Sequence, residues 1–133
     1  MSKVQVAIIT GASRGEYQRR TSRERAIDIN LMAPYLFINE IVPIMKQQKT
    51  GYIINIASIA GFTTGFGNAY AVAKAGLIRM TRIYAFFLGE HNIRVNCIAP
   101  GLVDTEILLN MPVEQRQELL GQVPEWSQDP DRA

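Results

Sequence analysis

Three β-branched runs separated by two long amphipathic stretches constrain what this chain can fold into. The runs are "KVQVAIIT", "GYIINIAS" and "IRVNCIAPG"; the stretches are "RERAIDINLMAPYLFINEIVPIMKQQ" and "AYAVAKAGLIRMTRIYAFFLGEHN". Strand and helix in alternation predict a parallel sheet joined by right-handed crossovers, an α/β fold. The middle run places Ile53 and Ala57 on one face and Ile54 and Ile56 on the other, so both faces of the sheet want cover. Thr21 or Ser22 can cap the first helix, and Thr50 with Gly51 can close it. In the second helix Leu77, Met80, Tyr84, Phe87 and Leu88 recur near helical spacing, with Gly89 as the expected stop. Pro100 and Gly101 halt the third strand. A short helix over 113–120 and the polar tail "EWSQDPDRA" follow.

A chain of 133 residues, 47% of them hydrophobic, fits one globular domain with its own core. Its net charge of +2 makes no case for nucleic acid. Arg14, Arg19, Arg20, Arg23 and Arg25 outnumber Glu16 and Glu24 near the first helix, which reads as a solvated helix start in preference to an anion site. The lone Cys97 rules out an internal disulfide and suits a reducing compartment. No apolar run approaches a membrane span and the opening residues are too briefly apolar for a signal peptide, so a soluble, cytoplasmic protein is expected. His91 lies in the polar turn "GEHN" and reads as solvated. No metal site is expected.

Two local patterns carry chemistry. "TGASRG" follows the first run, so the amides around Gly11, Ser13, Arg14 and Gly15 stand where a phosphate could bind at a helix start. Tyr17 occupies the position where a dinucleotide loop wants another glycine for close helix packing. The second pattern is Tyr70 and Lys74, four residues apart on one helix face. A phenol with a reference pKa of about 10 is a poor acid or base near neutrality, and an adjacent ammonium stabilises the phenolate. Ser58 ends the middle run, at the sheet edge where open α/β folds hold ligands. It can bond the carbonyl or alcohol oxygen whose proton Tyr70 moves. Asn30 lies mid-helix, four residues before Pro34, which has no N–H to offer the Asn30 carbonyl. That carbonyl either holds a water leading toward Lys74 or belongs to a plain proline kink.

"VAIITGASRG", "IDINL", "YIINIASIAG", "AYAVAKAG" and "IRVNCIAPGLVDT", in this order, resemble the short-chain dehydrogenase/reductase family over most of residues 4–105. The resemblance implies NAD(P)(H), with NADPH slightly preferred because of Arg14, and a small-molecule carbonyl/alcohol substrate. It assigns Tyr70 as acid/base, Lys74 as its tuner and ribose ligand, Ser58 as the group orienting substrate oxygen, and Asn30 as support for the relay water. Gly11, Ser13, Arg14 and Gly15 resemble the phosphate loop. Pro100, Gly101, Val103 and Thr105 resemble the segment holding the nicotinamide carboxamide. Helices bearing Asn30 and Tyr70 commonly form the subunit interface in this family, so a homo-oligomer is implied, without nucleic acid or membrane.

The chain also departs from the family. After Gly15 the helix bearing Asn30 follows at once, without the intervening strands and helices that build the adenosine pocket. Each crossover unit takes roughly 30 residues, so about two to three units are missing. The expected fold is a partial Rossmann-like doubly wound sheet reduced to about three strands, with helices mainly on one face. Residues 1–15 supply the first strand and loop, 21–105 the catalytic half, and 106–133 a short helix and tail. The first strand must pair with "YIINIAS" directly or hang free. A bare face with a footprint on the order of 240 Å² would remain, favouring an oligomer or marginal stability. Two functions compete: an NAD(P)-dependent oxidoreductase, or an inactive remnant or deleted isoform that associates with itself or with an intact relative.

Overall fold

The computed structural model describes residues 7–10, 22–63, 68–101, 112–114, 117 and 121. The chain divides into two compact units, Met1–Ala99 and Pro100–Ala133. The first contains the sheet and its helices. Strand β1 (Ala7–Thr10) precedes helix α1 (Ser22–Ile27), a π turn (Asp28–Met32) and helix α2 (Ala33–Gln48). Strand β2 (Gly51–Ile56), a 3-10 turn (Ile59–Gly61), helix α3 (Ala69–Leu88), a second 3-10 turn (Gly89–His91) and strand β3 (Ile93–Ile98) follow.

The sheet is parallel throughout, in the order β1-β2-β3. Of the two outcomes left open for the first strand, direct pairing is realised, with Ile8 opposite Ile53 and Thr10 opposite Asn55. Ile53 and Ala57 of β2 and Ile93 and Val95 of β3 bury against Ile38 and Met45 of α2 and Leu77, Ile78, Met80 and Leu88 of α3. A single cluster containing both helices places them on the same sheet face, as the crossover rule requires.

On β2 and β3 the opposite face mixes apolar with polar side chains. Tyr52 and Ile98 are exposed there and Ile54 and Ile56 half-buried, but Arg94 and Asn96 are exposed on the same side. The pairings Tyr52–Arg94 and Ile54–Asn96 interleave polar with apolar side chains.

Several local expectations are corrected. Lys49, with φ 53°, ends α2 in place of Thr50 and Gly51, its N–H reaching the carbonyls of Lys46 and Met45. Gly51 instead opens β2, where a Cβ would stand 2.5 Å from the Met45 sulfur. Gly89 does follow the last residue of α3, Leu88, as expected, but it stays right-handed and leads into the 3-10 turn; the left-handed residue of this stretch is Asn92, with φ 57°. Phe87 points to solvent, not into the core. The helical stretch Arg23–Gln48 is also long and apolar enough to cross a membrane by length and composition, contrary to the expectation that no run comes close. Ile38 and Met45 commit one of its faces to the core.

The bend expected at Pro34 takes the form of the π turn. Ala33 donates its N–H to the Asp28 carbonyl, five residues back. A turn one residue wider accommodates a proline, which has no N–H to donate, without ending the helix.

Candidate functional site

Tyr70 and Lys74 occupy the first turns of α3, which begins where the Asn68 side chain caps the N–H of Ala71 at 3.0 Å. Their spacing puts both on one helix face. The Lys74 ammonium lies 5.5 Å from the Tyr70 ring centroid, within the range of a cation–π contact. Tyr70 is 38% exposed and Lys74 only 2%. The phenol therefore opens toward solvent while the cation behind it is enclosed.

The enclosure is not apolar. Lys74 Nζ donates to the carbonyl of Ile56 at 2.8 Å, at the carboxyl end of β2. Burial pushes the ammonium below the ordinary lysine range, and nearby Cys97 on β3 partly opposes the shift. One of the three ammonium protons is spent on Ile56. Among the described residues, the Ile56 carbonyl is the one hydrogen-bond acceptor the ammonium meets.

Ser58 lies two residues beyond Ile56, in extended backbone, and its Oγ accepts the N–H of Ala60 at 3.2 Å. That contact caps the 3-10 turn and occupies a lone pair, leaving the hydroxyl proton for another partner. The turn is pressed onto α3 at Gly61. A Cβ there would stand 2.9 Å from both the Ala75 nitrogen and the Lys74 carbonyl carbon, so only glycine permits the approach.

Asn30 sits within the π turn, its side-chain amide donating to the Ala26 carbonyl at 3.0 Å. A second glycine joins this turn to α3: a Cβ on Gly76 would stand 3.0 Å from Leu31 Cδ2. The turns bearing Asn30 and Ser58 thus both pack against the segment of α3 that bears Lys74. A cleft of about 520 Å³, lined by Arg23, Glu24, Ile27, Asp28 and Ala69, opens beside the first turn of α3.

Pro100 and Gly101 lie at the start of the second unit, half-buried and exposed respectively. Gly11, Ser13, Arg14, Gly15, Val103 and Thr105 lie outside the described residues. Sequence reasoning missed the Ile56 carbonyl, the two close-approach glycines and a buried Asn55–Thr81 hydrogen bond of 2.8 Å. An amide in the middle of the apolar run "YIINIA" was the one available signal for that bond. His91 is half-buried and 3.3 Å from the Glu90 carboxylate, in a turn remote in sequence from these groups.

A family model described as enoyl-(acyl carrier protein) reductase matches residues 5–127. A 3-oxoacyl-(acyl-carrier-protein) reductase of Thermotoga maritima is 35% identical over 102 residues, covering 76% of this chain and 42% of the relative. Among solved structures, a short-chain dehydrogenase/reductase from Burkholderia xenovorans superposes with a TM-score of 0.69 at 34% identity, covering 84% of this chain and 47% of its own. A 4-hydroxyisoleucine dehydrogenase complexed with NADH and succinate gives a TM-score of 0.65 at 31% identity, covering 77% and 48%. The chain spans less than half the length of these proteins.

Proposed function

Because the chain belongs to the short-chain dehydrogenase/reductase family, we propose that it is an NAD(P)(H)-dependent oxidoreductase acting on a carbonyl/alcohol pair, with Tyr70 as the acid/base. The observation that carries this reading is the Lys74 ammonium, held between the Tyr70 ring and the Ile56 carbonyl and two strand residues from Ser58. The partly exposed phenol can give its proton to a carbonyl oxygen and recover it from an alcohol, with the ammonium fixed beside its ring. Ser58 donates its hydroxyl proton to the same substrate oxygen and orients it. Asn30, on the turn packed against α3, supports the return of the proton from solvent through its backbone carbonyl.

The donor set suits a nicotinamide ribose. The ammonium retains protons to donate, and a partly exposed phenol stands beside it. Lys74 and Tyr70 would hold that ribose, and Pro100, Gly101, Val103 and Thr105 the carboxamide. Gly11, Ser13, Arg14 and Gly15 would contact phosphate, with NADPH slightly preferred. When bound there, a nicotinamide would supply or accept the hydride.

The same family membership supports a soluble, cytoplasmic protein acting on a small molecule. Little of the chain remains for an adenosine pocket, and remote binding energy of that kind also positions the reacting ring. Weak NADPH binding is therefore expected. Fluorescence titration with NADPH tests it, and saturation at micromolar concentration would show that the short chain retains full anchoring. Turnover of a carbonyl substrate with NADPH, lost in Tyr70→Phe, tests the chemistry.

A second reading is favoured by the outer surfaces of α2 and α3, where Leu36, Phe37, Ile83, Phe86 and Phe87 are exposed. Phe86 is 81% exposed and meets Phe87 edge-on at 5.3 Å. These rings would serve self-association or docking on an intact relative, with or without catalysis.

A further inference from the structure

We propose that the buried pair Asn55 and Thr81 is a positioning device, which sets the seat of α3 on β2 and so places Lys74 against the Ile56 carbonyl. The site it serves is the one in the oxidoreductase reading, but the positioning itself is a property of the folded chain. Asn55 is fully buried in the middle of β2 and Thr81 is buried on α3. The Asn55 amide donates to Thr81 Oγ1 at 2.8 Å, and Thr81 Oγ1 donates to the Leu77 carbonyl at 2.8 Å. A hydroxyl has one proton. Spending it on the helix carbonyl points the lone pairs at the strand, so the direction of the whole chain is set: amide, hydroxyl, carbonyl.

Apolar side chains of α3 that share the core with the sheet include Leu77, Ile78, Met80 and Leu88, with Tyr84 and Ala85 packed at its margin. Apolar contact rewards buried area and is non-directional, so it tolerates small slides and rotations. A hydrogen bond weakens steeply as its angle is lost. Thr81 lies about two helical turns beyond Lys74, and their strand partners, Asn55 and Ile56, are consecutive. Two directional anchors separated along the helix axis remove both sliding and rotation, which one anchor could not do. Lys74 is enclosed only while α3 keeps this seat. Around its ammonium, among the described residues, the titratable neighbours are Tyr70 on α3 and Cys97 on β3, and Cys97 is paired in register with Asn55 itself.

Lysine-selective carbon-13 NMR of the full chain against pH, with Lys74 assigned through Lys74→Met, tests the proposal without cofactor or substrate. Thr81→Val is expected to move the Lys74 midpoint upward, toward the ordinary lysine value of about 10.4, as water reaches the ammonium. Thr81→Ser, which keeps the hydroxyl, is expected to restore the parent midpoint. If Thr81→Val does not fold, the double variant Asn55→Val/Thr81→Val removes both partners and strands no buried amide; the upward movement is expected there too. A folded Thr81→Val or double variant with the parent midpoint would overturn the proposal. Failure of the oxidoreductase reading looks different: no turnover by the parent chain, with the Lys74 midpoint still responding to Thr81.

Discussion

Gly61 meets the backbone of Lys74 with no space for a side chain: a Cβ there would stand 2.9 Å from the Lys74 carbonyl carbon. Through this contact the turn capped by Ser58 and the helix carrying the Tyr70–Lys74 pair form one surface. Gly61→Ala must push the two apart, since the obstructing atoms are backbone. A loss of roughly 1–3 kcal/mol in urea unfolding is expected, together with a fall in any turnover. A variant as stable as the parent would show that the turn can shift freely.

Tyr70→Phe removes only a hydroxyl from a partly exposed ring and leaves the cation–π contact with Lys74 in place. Stability should change by less than about 0.5 kcal/mol. Turnover with NADPH should fall at least about 100-fold. Paired steady-state kinetics and thermal unfolding separate the two effects.

The depressed Lys74 value makes stability depend on pH in a definite direction. A base whose folded value lies below its unfolded one penalises the fold whenever it is protonated in both states. That penalty is complete below the folded value. It fades as pH rises through the folded value toward the ordinary 10.5 and is gone above it. The parent should therefore gain stability toward alkaline pH relative to Lys74→Met. Urea midpoints for the two proteins at several pH values check the sign, and parallel curves would contradict it.

Lys49 closes α2 with φ 53°, a conformation that disfavours a side chain. Lys49→Gly should raise stability by roughly 1 kcal/mol, because the N–H contacts to Lys46 and Met45 use backbone atoms only. Chemical denaturation of the two proteins measures the gain.

The exposed rings on α3 predict association. Size-exclusion chromatography should show the parent eluting as a species larger than a monomer, with Phe86→Glu/Phe87→Glu shifted to monomer. A parent that already elutes as a monomer counts against that surface.

Asn55 shows how far local pattern carries a reading of this chain. Its place in a strand followed from the β-branched run around it, yet its bond to Thr81 joins residues that no periodicity connects. The same contrast holds for Lys74. Its spacing from Tyr70 was visible as i, i+4, while the Ile56 carbonyl that holds its ammonium lies on another element. Phe87 fell on the expected apolar stripe and faces solvent nonetheless, because α3 can bury only the arc that meets the sheet.

The order and type of the elements, the parallel sense of the sheet and the pairing of Tyr70 with Lys74 were determined by the sequence alone. All of these follow from spacing along the chain. Tertiary structure alone decided that β1 pairs directly with β2, that the segment before Pro34 widens into a π turn, and that Lys74 is buried against a carbonyl. Those outcomes depend on atoms brought together from distant parts of the chain, where packing and hydrogen-bond geometry select the partner and local spacing is silent.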